Sequence, residues 1–204
     1  LAAVALAYHA GADFESMAAS LPRFEGIARR MALRGEGRGV TILDDYAHHP
    51  TEIRVTLEAA RSRYSPKRTL VVFQPHQHSR TRLLLNEFAQ SLSGVDEVFI
   101  PDVYTARSVA PSLGHNGSTE AGDAAASAAG HATGEDAGRD AAAPIGSRAL
   151  VSRLRDAGAS ARYVPELNDV AHRVAEDLRE GDLVMTMGAG DVWKVADELV
   201  ARIC

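Results

Sequence analysis

The chain has 204 residues, 46% of them apolar and 24% charged, which are the proportions of an ordinary globular protein with room for one domain and attachments. Its net charge of -5 gives no basic field for nucleic acid or an acidic membrane, and a single cysteine, Cys204, excludes a disulfide scaffold and fits a reducing, cytoplasmic compartment. The apolar opening "LAAVALAYHAG" is too short to cross a bilayer and lacks the basic flank and cleavage site of a signal peptide.

That opening reads as a helix apolar nearly all round. Such a helix is normally buried in a larger core, so the first residues are expected to belong to a domain whose remainder lies outside this chain. "ADFESMAASL" follows as a short helix capped by Asp13 and closed before Pro22, and "PRFEGIARR" as a linker. The β-branched run "GVTILDDY" is a strand ending in two acids. "PTEIRVTLEAARSR" is a helix with Pro50 at its first position, Glu52 in its first turn and Ile53, Leu57 and Ala60 on one face. "RTLVVFQ" is a buried strand. "SRTRLLLNEFAQSL" is a helix with Ser79 as N-cap and Leu84, Phe88 and Leu92 as its inner stripe, and "DEVFI" is the next strand. Residues 107 to 143 are Ala, Gly, Ser and Asp with scattered histidines. They cannot bury enough surface to offset the entropy of ordering, so a disordered insertion is expected there.

Beyond it, "GSRALVSRLRDAG" is a helix ended by Gly158, "ARYV" a short strand, and "NDVAHRVAEDL" a helix capped by Asn168 or Asp169. "DLVMTMG" is a last strand and "DVWKVADELVARI" a last helix with Val192, Val195, Ala196, Leu199 and Ile203 inward. Strand and helix alternate throughout. The order predicts an α/β, Rossmann-like fold: a mostly parallel sheet with helices on both faces. Ligands of such folds sit beyond the carboxyl ends of the strands, where "DDYAHHP", "QPHQHSR", "PDVYTAR" and "GAGD" fall.

The chemistry lies in those loops. Arg80 falls in the first turn of a helix, where free N–H groups favour an anion and a guanidinium adds a planar fork for carboxylate or phosphate. His76, His78 and Arg82 add positive character. Asp44 and Asp45 end a buried strand, so at least one carboxylate is expected to face the crevice, where such acids accept hydrogen bonds from ribose hydroxyls. His48, His49, His76 and His78 also admit a metal site, since neutral imidazole suits zinc. Adjacent histidines point in different directions and no cysteine is near, which favours a ligand contact for His48 and a helix cap for His49. "GAGD" is a glycine turn equally expected for packing, and the chain has no Gly-Lys-Ser/Thr phosphate loop.

Taken in order, "FEGIARR", "DDYAHHPTEI", "VVFQPHQHSRTR" and "GDLVMTMGAGDVWKVADEL" resemble the carboxyl-terminal domain of the Mur ligases. The resemblance covers nearly everything outside 107–143. It implies that residues 1–22 are the terminal helices of a central ATP-binding domain and that residues 23–204 are the third, lid-like domain, in contact with that central domain. The reaction it implies is ATP-dependent amide formation between L-alanine and UDP-N-acetylmuramate through an acyl phosphate, with Mg2+ and the phosphate loop held mainly outside this chain, which would then be inactive alone.

Carried over residue by residue, Asp45 is expected to hold the ATP ribose and Arg30 to reach the terminal phosphate and act in catalysis. Tyr46, His48 and Arg80 surround the incoming alanine, with His48 also catalytic, Arg80 on the carboxylate and His76 lining the same pocket. One departure stands out. Where many members have "HRFTRTR", this chain has "HQHSRTR", so Gln77 replaces an arginine expected near the amino-acid carboxylate. Two alternatives stay open: a sister ligase that attaches recycled murein tripeptide to the same sugar, whose pattern has phenylalanine at Tyr46, and a nucleotide-binding module without ligase activity.

Overall fold

The computed structural model describes residues 2–24, 26–104 and 146–204, so the stretch read as an insertion, 107–143, lies outside the described residues. Six strands form one sheet: β1 (Ala32–Gly37), β2 (Val40–Asp45), β3 (Arg68–Phe73), β4 (Glu97–Ile100), β5 (Ala161–Tyr163) and β6 (Asp182–Met187). Their order is β1-β2-β6-β3-β4-β5. Every pairing is parallel except β1 with β2, a hairpin turned at Arg38 and Gly39. The parallel, doubly covered sheet expected from the alternating pattern is present. The antiparallel edge strand β1 had gone unread, because its residues, "ALRGEG", carry little of the apolar alternation that marks a strand.

Alternate strand residues feed two separate cores, as a two-residue side-chain period requires. Leu43, Val71, Phe73, Val98, Met185 and Met187 face α3 (Pro50–Tyr64), α5 (Leu85–Leu92) and α6 (Ser147–Asp156). Ile42, Leu70, Val72, Phe99 and Val184 face α7 (Leu167–Ala175) and α8 (Trp193–Ile203). The inward stripe expected of α8, Val192, Val195, Ala196, Leu199 and Ile203, is buried as a set. Fully burying an aliphatic side chain of this size contributes about 1.5–3 kcal/mol, so one such stripe anchors the helix. The helix lies so close to β1 that a Cβ on Gly37 would stand 2.6 Å from the Ile203 carbonyl oxygen.

Helix starts show where local reading succeeds. Asp13 caps α2 (Phe14–Ser20) by accepting the Ser16 N–H at 2.9 Å, as expected. At other starts the chain departs from expectation. The segment 78–92 is two helices, α4 (His78–Leu83) and α5, broken at Leu84, and the residue before α4 is Gln77, not Ser79. Helix α7 begins at Leu167 after Glu166, one turn's edge ahead of Asn168 and Asp169. At neither start does a side chain cap the helix, and the buried stripes, Phe88 with Leu92 and Val170 with Val174, lie further along, on α5 and α7. The first helix, α1 (Ala2–His9), and α2 contain no buried residue, and Leu6, Tyr8 and Phe14 are each more than 60% exposed.

Candidate functional site

The loops that follow β2, β3, β4 and β6 meet along one rim. Both acids ending β2 point into it but are buried. Asp44 accepts the Arg29 Nε–H at 3.0 Å and the Thr186 hydroxyl at 2.6 Å. Asp45 is 2% exposed, its two oxygens accepting the Met31 and Ala47 N–H groups at 2.7 Å each. The expectation of a carboxylate open to the crevice is therefore corrected: each acid is buried between one donor from the linker and one from the sheet's own rim, Thr186 or Ala47. That linker is strained, with Arg29 at φ 59° and Met31 at φ 45°, a region non-glycine residues avoid unless held. Arg29, which drew no attention in the sequence, completes the clasp by donating to the Gly188 carbonyl at 2.7 Å.

Tyr46 stands at the centre of this arrangement. The guanidinium carbons of Arg29 and Arg30 lie 5.0 and 5.7 Å from its ring centre on the linker side, and the His48 ring meets it edge-on at 5.3 Å. Arg30 itself is exposed. His48 turns its Nδ1 toward two acceptors, the Tyr46 carbonyl at 3.0 Å and Glu52 Oε2 at 3.5 Å. The same Glu52 oxygen accepts the backbone N–H groups of His48 and His49 at 3.0 and 3.2 Å. His49 Nδ1 in turn accepts the Thr51 N–H at 3.3 Å, so His49 and Glu52 form a capping box over Pro50 at the start of α3. His49 is thus the helix cap that its position next to Pro50 suggested. Burial alone would push the Glu52 carboxyl upward, but the His48 and His49 N–H groups and the positive charges of His48 and Arg30 bring it below the ordinary carboxylate range.

His48, Glu52, Ser79, Arg80, Leu83 and Leu84 line a hollow of about 620 Å³ between α3 and α4. Among the described residues the Arg80 guanidinium has no ion-pair or hydrogen-bond partner. The hollow therefore carries an unspent cation at one wall and a histidine–carboxylate pair at the other. His76 lies behind Arg80, stacked on Tyr104 with ring centres 5.6 Å apart. Burial pushes its imidazole below the ordinary range, and the charges of Arg80 and His48 push it further. Gln77 is exposed, at φ 69°, and its carbonyl accepts the Thr81 N–H and hydroxyl at 3.1 and 2.9 Å, so it shapes the turn before α4. Among the described residues no three His, Cys, Asp or Glu side chains converge as a metal would require.

The glycine turn after β6 has a packing reason. A Cβ on Gly190 would stand 2.5 Å from the Tyr104 ring and 2.9 Å from Gln74 Oε1. Gln74, another residue the sequence did not single out, is 6% exposed, and its Oε1 has no hydrogen-bond partner among the described residues.

The family model described as Mur ligase, glutamate ligase domain, matches residues 29–190. The chain belongs to the Mur ligase family. Among curated Mur ligases it is 41% identical over 206 residues to the UDP-N-acetylmuramate–L-alanine ligase of Mycolicibacterium vanbaalenii, covering 100% of this chain and 36% of that protein. It is 37% identical to the enzyme of the same name from Desulforamulus reducens, again over 100% of this chain and 37% of the relative. The chain thus spans little more than a third of the curated Mur ligases it matches. The crystal structure of the UDP-N-acetylmuramate–alanine ligase of Thermotoga maritima shares the fold, with a TM-score of 0.70 at 22% identity, over 98% of this chain and 35% of that one. The matched span opens at Arg29, so the clasp, the hollow and the glycine turn all lie within the Mur ligase domain.

Proposed function

We propose that this chain is the carboxyl-terminal lid of an ATP-dependent ligase that joins L-alanine to UDP-N-acetylmuramate in the cytoplasm, as a step of peptidoglycan precursor synthesis. One observation carries the reading to an amino acid: the hollow between α3 and α4 is bipolar. An unpaired Arg80 suits a carboxylate, and the His48–Glu52 pair opposite suits an ammonium. A zwitterion matches both ends, whereas a phosphate or a sugar matches only one. Arg80 takes the carboxylate, His48 and Tyr46 stand beside the amine, and His76 backs the pocket as a neutral ring. Gln77, with no charge, leaves Arg80 as the guanidinium that lines this hollow.

ATP supplies the phosphate that turns the sugar's lactyl carboxylate into an acyl phosphate. Of this chain's residues, Arg30 is exposed at the rim and fits a contact to the terminal phosphate. Asp45 keeps a free lone pair on each carboxylate oxygen, but at 2% exposure it fits the ribose only if the linker at Met31 opens a way to it. Mg2+ is assigned to the domain carrying the phosphate loop, since no acidic cluster for it lies among the described residues. The exposed apolar residues of α1 and α2, Leu6, Tyr8 and Phe14, suit packing on that same domain.

The test is a chimaera. This chain replaces the matching third of the M. vanbaalenii ligase, and phosphate release is followed with ATP, UDP-N-acetylmuramate and a panel of amino acids. Release that depends on L-alanine is the expected result. Release that depends instead on a murein tripeptide assigns the chain to the sister ligase. ATP binding without release under any acceptor, while the parent enzyme works in parallel, overturns the ligase reading.

A further inference from the structure

The capping box at the start of α3 does more than a cap requires. Closing a helix start needs a carboxylate oxygen on one or two backbone N–H groups. Glu52 Oε2 meets that need with His48 N–H and His49 N–H, and then also comes to 3.5 Å from His48 Nδ1. The Tyr46 carbonyl, a pure acceptor, lies 3.0 Å from the same nitrogen. A nitrogen that faces two acceptors must carry the proton, so neutral His48 is fixed with its hydrogen on Nδ1. Its Nε2 then holds a bare lone pair, has no partner among the described residues, and belongs to a side chain lining the hollow.

We propose that Glu52 is a positioning residue: with the Tyr46 carbonyl it locks His48 as the Nδ1–H tautomer and presents Nε2 as the acceptor for a proton from the amino-acid ammonium. This rests on the reading of the hollow as an amino-acid site. An ammonium has no lone pair and cannot attack. One proton passes to His48 Nε2, and the imidazolium so formed stays beside the Glu52 carboxylate. The freed nitrogen lone pair forms a bond to the acyl carbon, and the carbon–oxygen bond to the phosphate breaks with its electron pair on the phosphate. The second proton of the attacking nitrogen leaves with that phosphate, which gives the neutral amide. The arrangement places a carboxylate, an oriented imidazole and a reacting proton in series, the logic by which a histidine's inner nitrogen sets the task of its outer one.

The experiment needs no substrate. The whole chain is labelled with 15N-histidine, and long-range 15N–1H correlation spectra are recorded at a pH where imidazoles are neutral. The expected result is Nδ1–H for His48 in the wild type and in Glu52→Gln, whose amide oxygen still accepts. In Glu52→Ala the Tyr46 carbonyl is the one acceptor left at Nδ1 among the described residues. The Nδ1–H population therefore falls, and the Nε2–H form that free histidine prefers appears beside it. His49→Ala removes the other half of the capping box and is expected to leave the His48 tautomer unchanged. Nε2–H in the wild type overturns the proposal, and so does an unchanged tautomer in Glu52→Ala. An equal change in His49→Ala reduces Glu52 to a cap and overturns it too. If Glu52→Ala does not fold, the wild-type and Glu52→Gln spectra decide alone: Nδ1–H in both supports the lock, and Nε2–H in either overturns it. A chain that keeps Nδ1–H but whose chimaera never responds to L-alanine refutes the amino-acid reading and leaves the positioning role standing.

Discussion

The two ends of this sheet use the same side chains for opposite purposes. At the amino end, Arg68 grips Asp182 with two bonds of 3.0 and 2.7 Å and the Asp177 carbonyl with a third of 2.6 Å. Arg162 bridges Glu97 and Asp177 beside it, at 2.5 and 2.7 Å. Each of these charges faces an opposite one, and that end lies across the sheet from the four loops of the rim. At the carboxyl end, Asp44 and Asp45 are equally well satisfied, by the linker together with Thr186 and Ala47, and Arg80 beyond them has no partner among the described residues. The lesson is that burial of acids marks neither end as functional. What separates the ends, among the described residues, is the guanidinium left without a partner at one of them.

Four measurements break or sharpen that contrast. The largest effect is expected at the amino end, where Asp182→Ala strips the partly buried Arg68 of its bidentate carboxylate and leaves it the Asp177 carbonyl. Removing one partner of a buried pair typically costs about 3–5 kcal/mol, read here as a lowered urea midpoint. A loss under about 1 kcal/mol would mean that this end is no better knit than an ordinary surface. Next comes Arg80→Ala at the rim. In the chimaera it should raise the Michaelis constant for L-alanine by about 30-fold or more, the equivalent of about 2 kcal/mol or more, with that for ATP nearly unchanged. Stability of the same variant should stay within about 0.5 kcal/mol, as expected of a side chain outside the core. Equal losses in both quantities would erase the distinction between the ends.

Smaller is the effect of Gly190→Ala, whose added methyl must displace the Tyr104 ring. Overpacking of this kind costs about 1–3 kcal/mol and would appear in the melting temperature. An unaltered melting temperature would show that the ring moves freely.

The smallest effect concerns His76. Its folded-state value is depressed, so the stability it contributes is present above the ordinary imidazole value of about 6.5 and is lost as pH falls through the depressed one. Burial is the main cause, with Arg80 second, so Arg80→Ala should move the His76 midpoint upward by NMR titration without restoring the ordinary value. A stationary midpoint would place Arg80 farther from His76 than the coordinates do.

Much of the fold was legible because periodicity is a local signal. The stripe on α8, the caps at Asp13 and His49, and the alternation of strand and helix each depend on residues within one or two turns of one another. Strand β1 was not legible, because its two glycines are there to let α8 approach, a reason that lies more than 160 positions away. Around the rim, His48 and Arg80 drew attention by their place just after β2 and β3, and Tyr46 through the family resemblance. The sequence reading overlooked Arg29, Glu52 and Gln74. Arg29 was hidden because its partners, Asp44 and Gly188, come from distant segments. Glu52 was visible as a first-turn acid, yet nothing in a helix-start pattern says that a cap will also reach an imidazole.

The strand order β1-β2-β6-β3-β4-β5 has a consequence for how the chain is made. β2 and β3 do not pair with each other; each pairs with β6, whose residues, 182–187, are synthesised more than 100 positions after either. β2 can pair with β1 and β3 with β4 beforehand, but during synthesis the other edge of each must wait, open and apolar, for a partner about 110 to 140 positions behind it. Contacts of such sequence separation form slowly, and open parallel edges attract other chains while they do. A cell making this protein would therefore meet its aggregation hazard on nascent chains, and holding factors acting during translation would affect its yield more than any change to the finished surface.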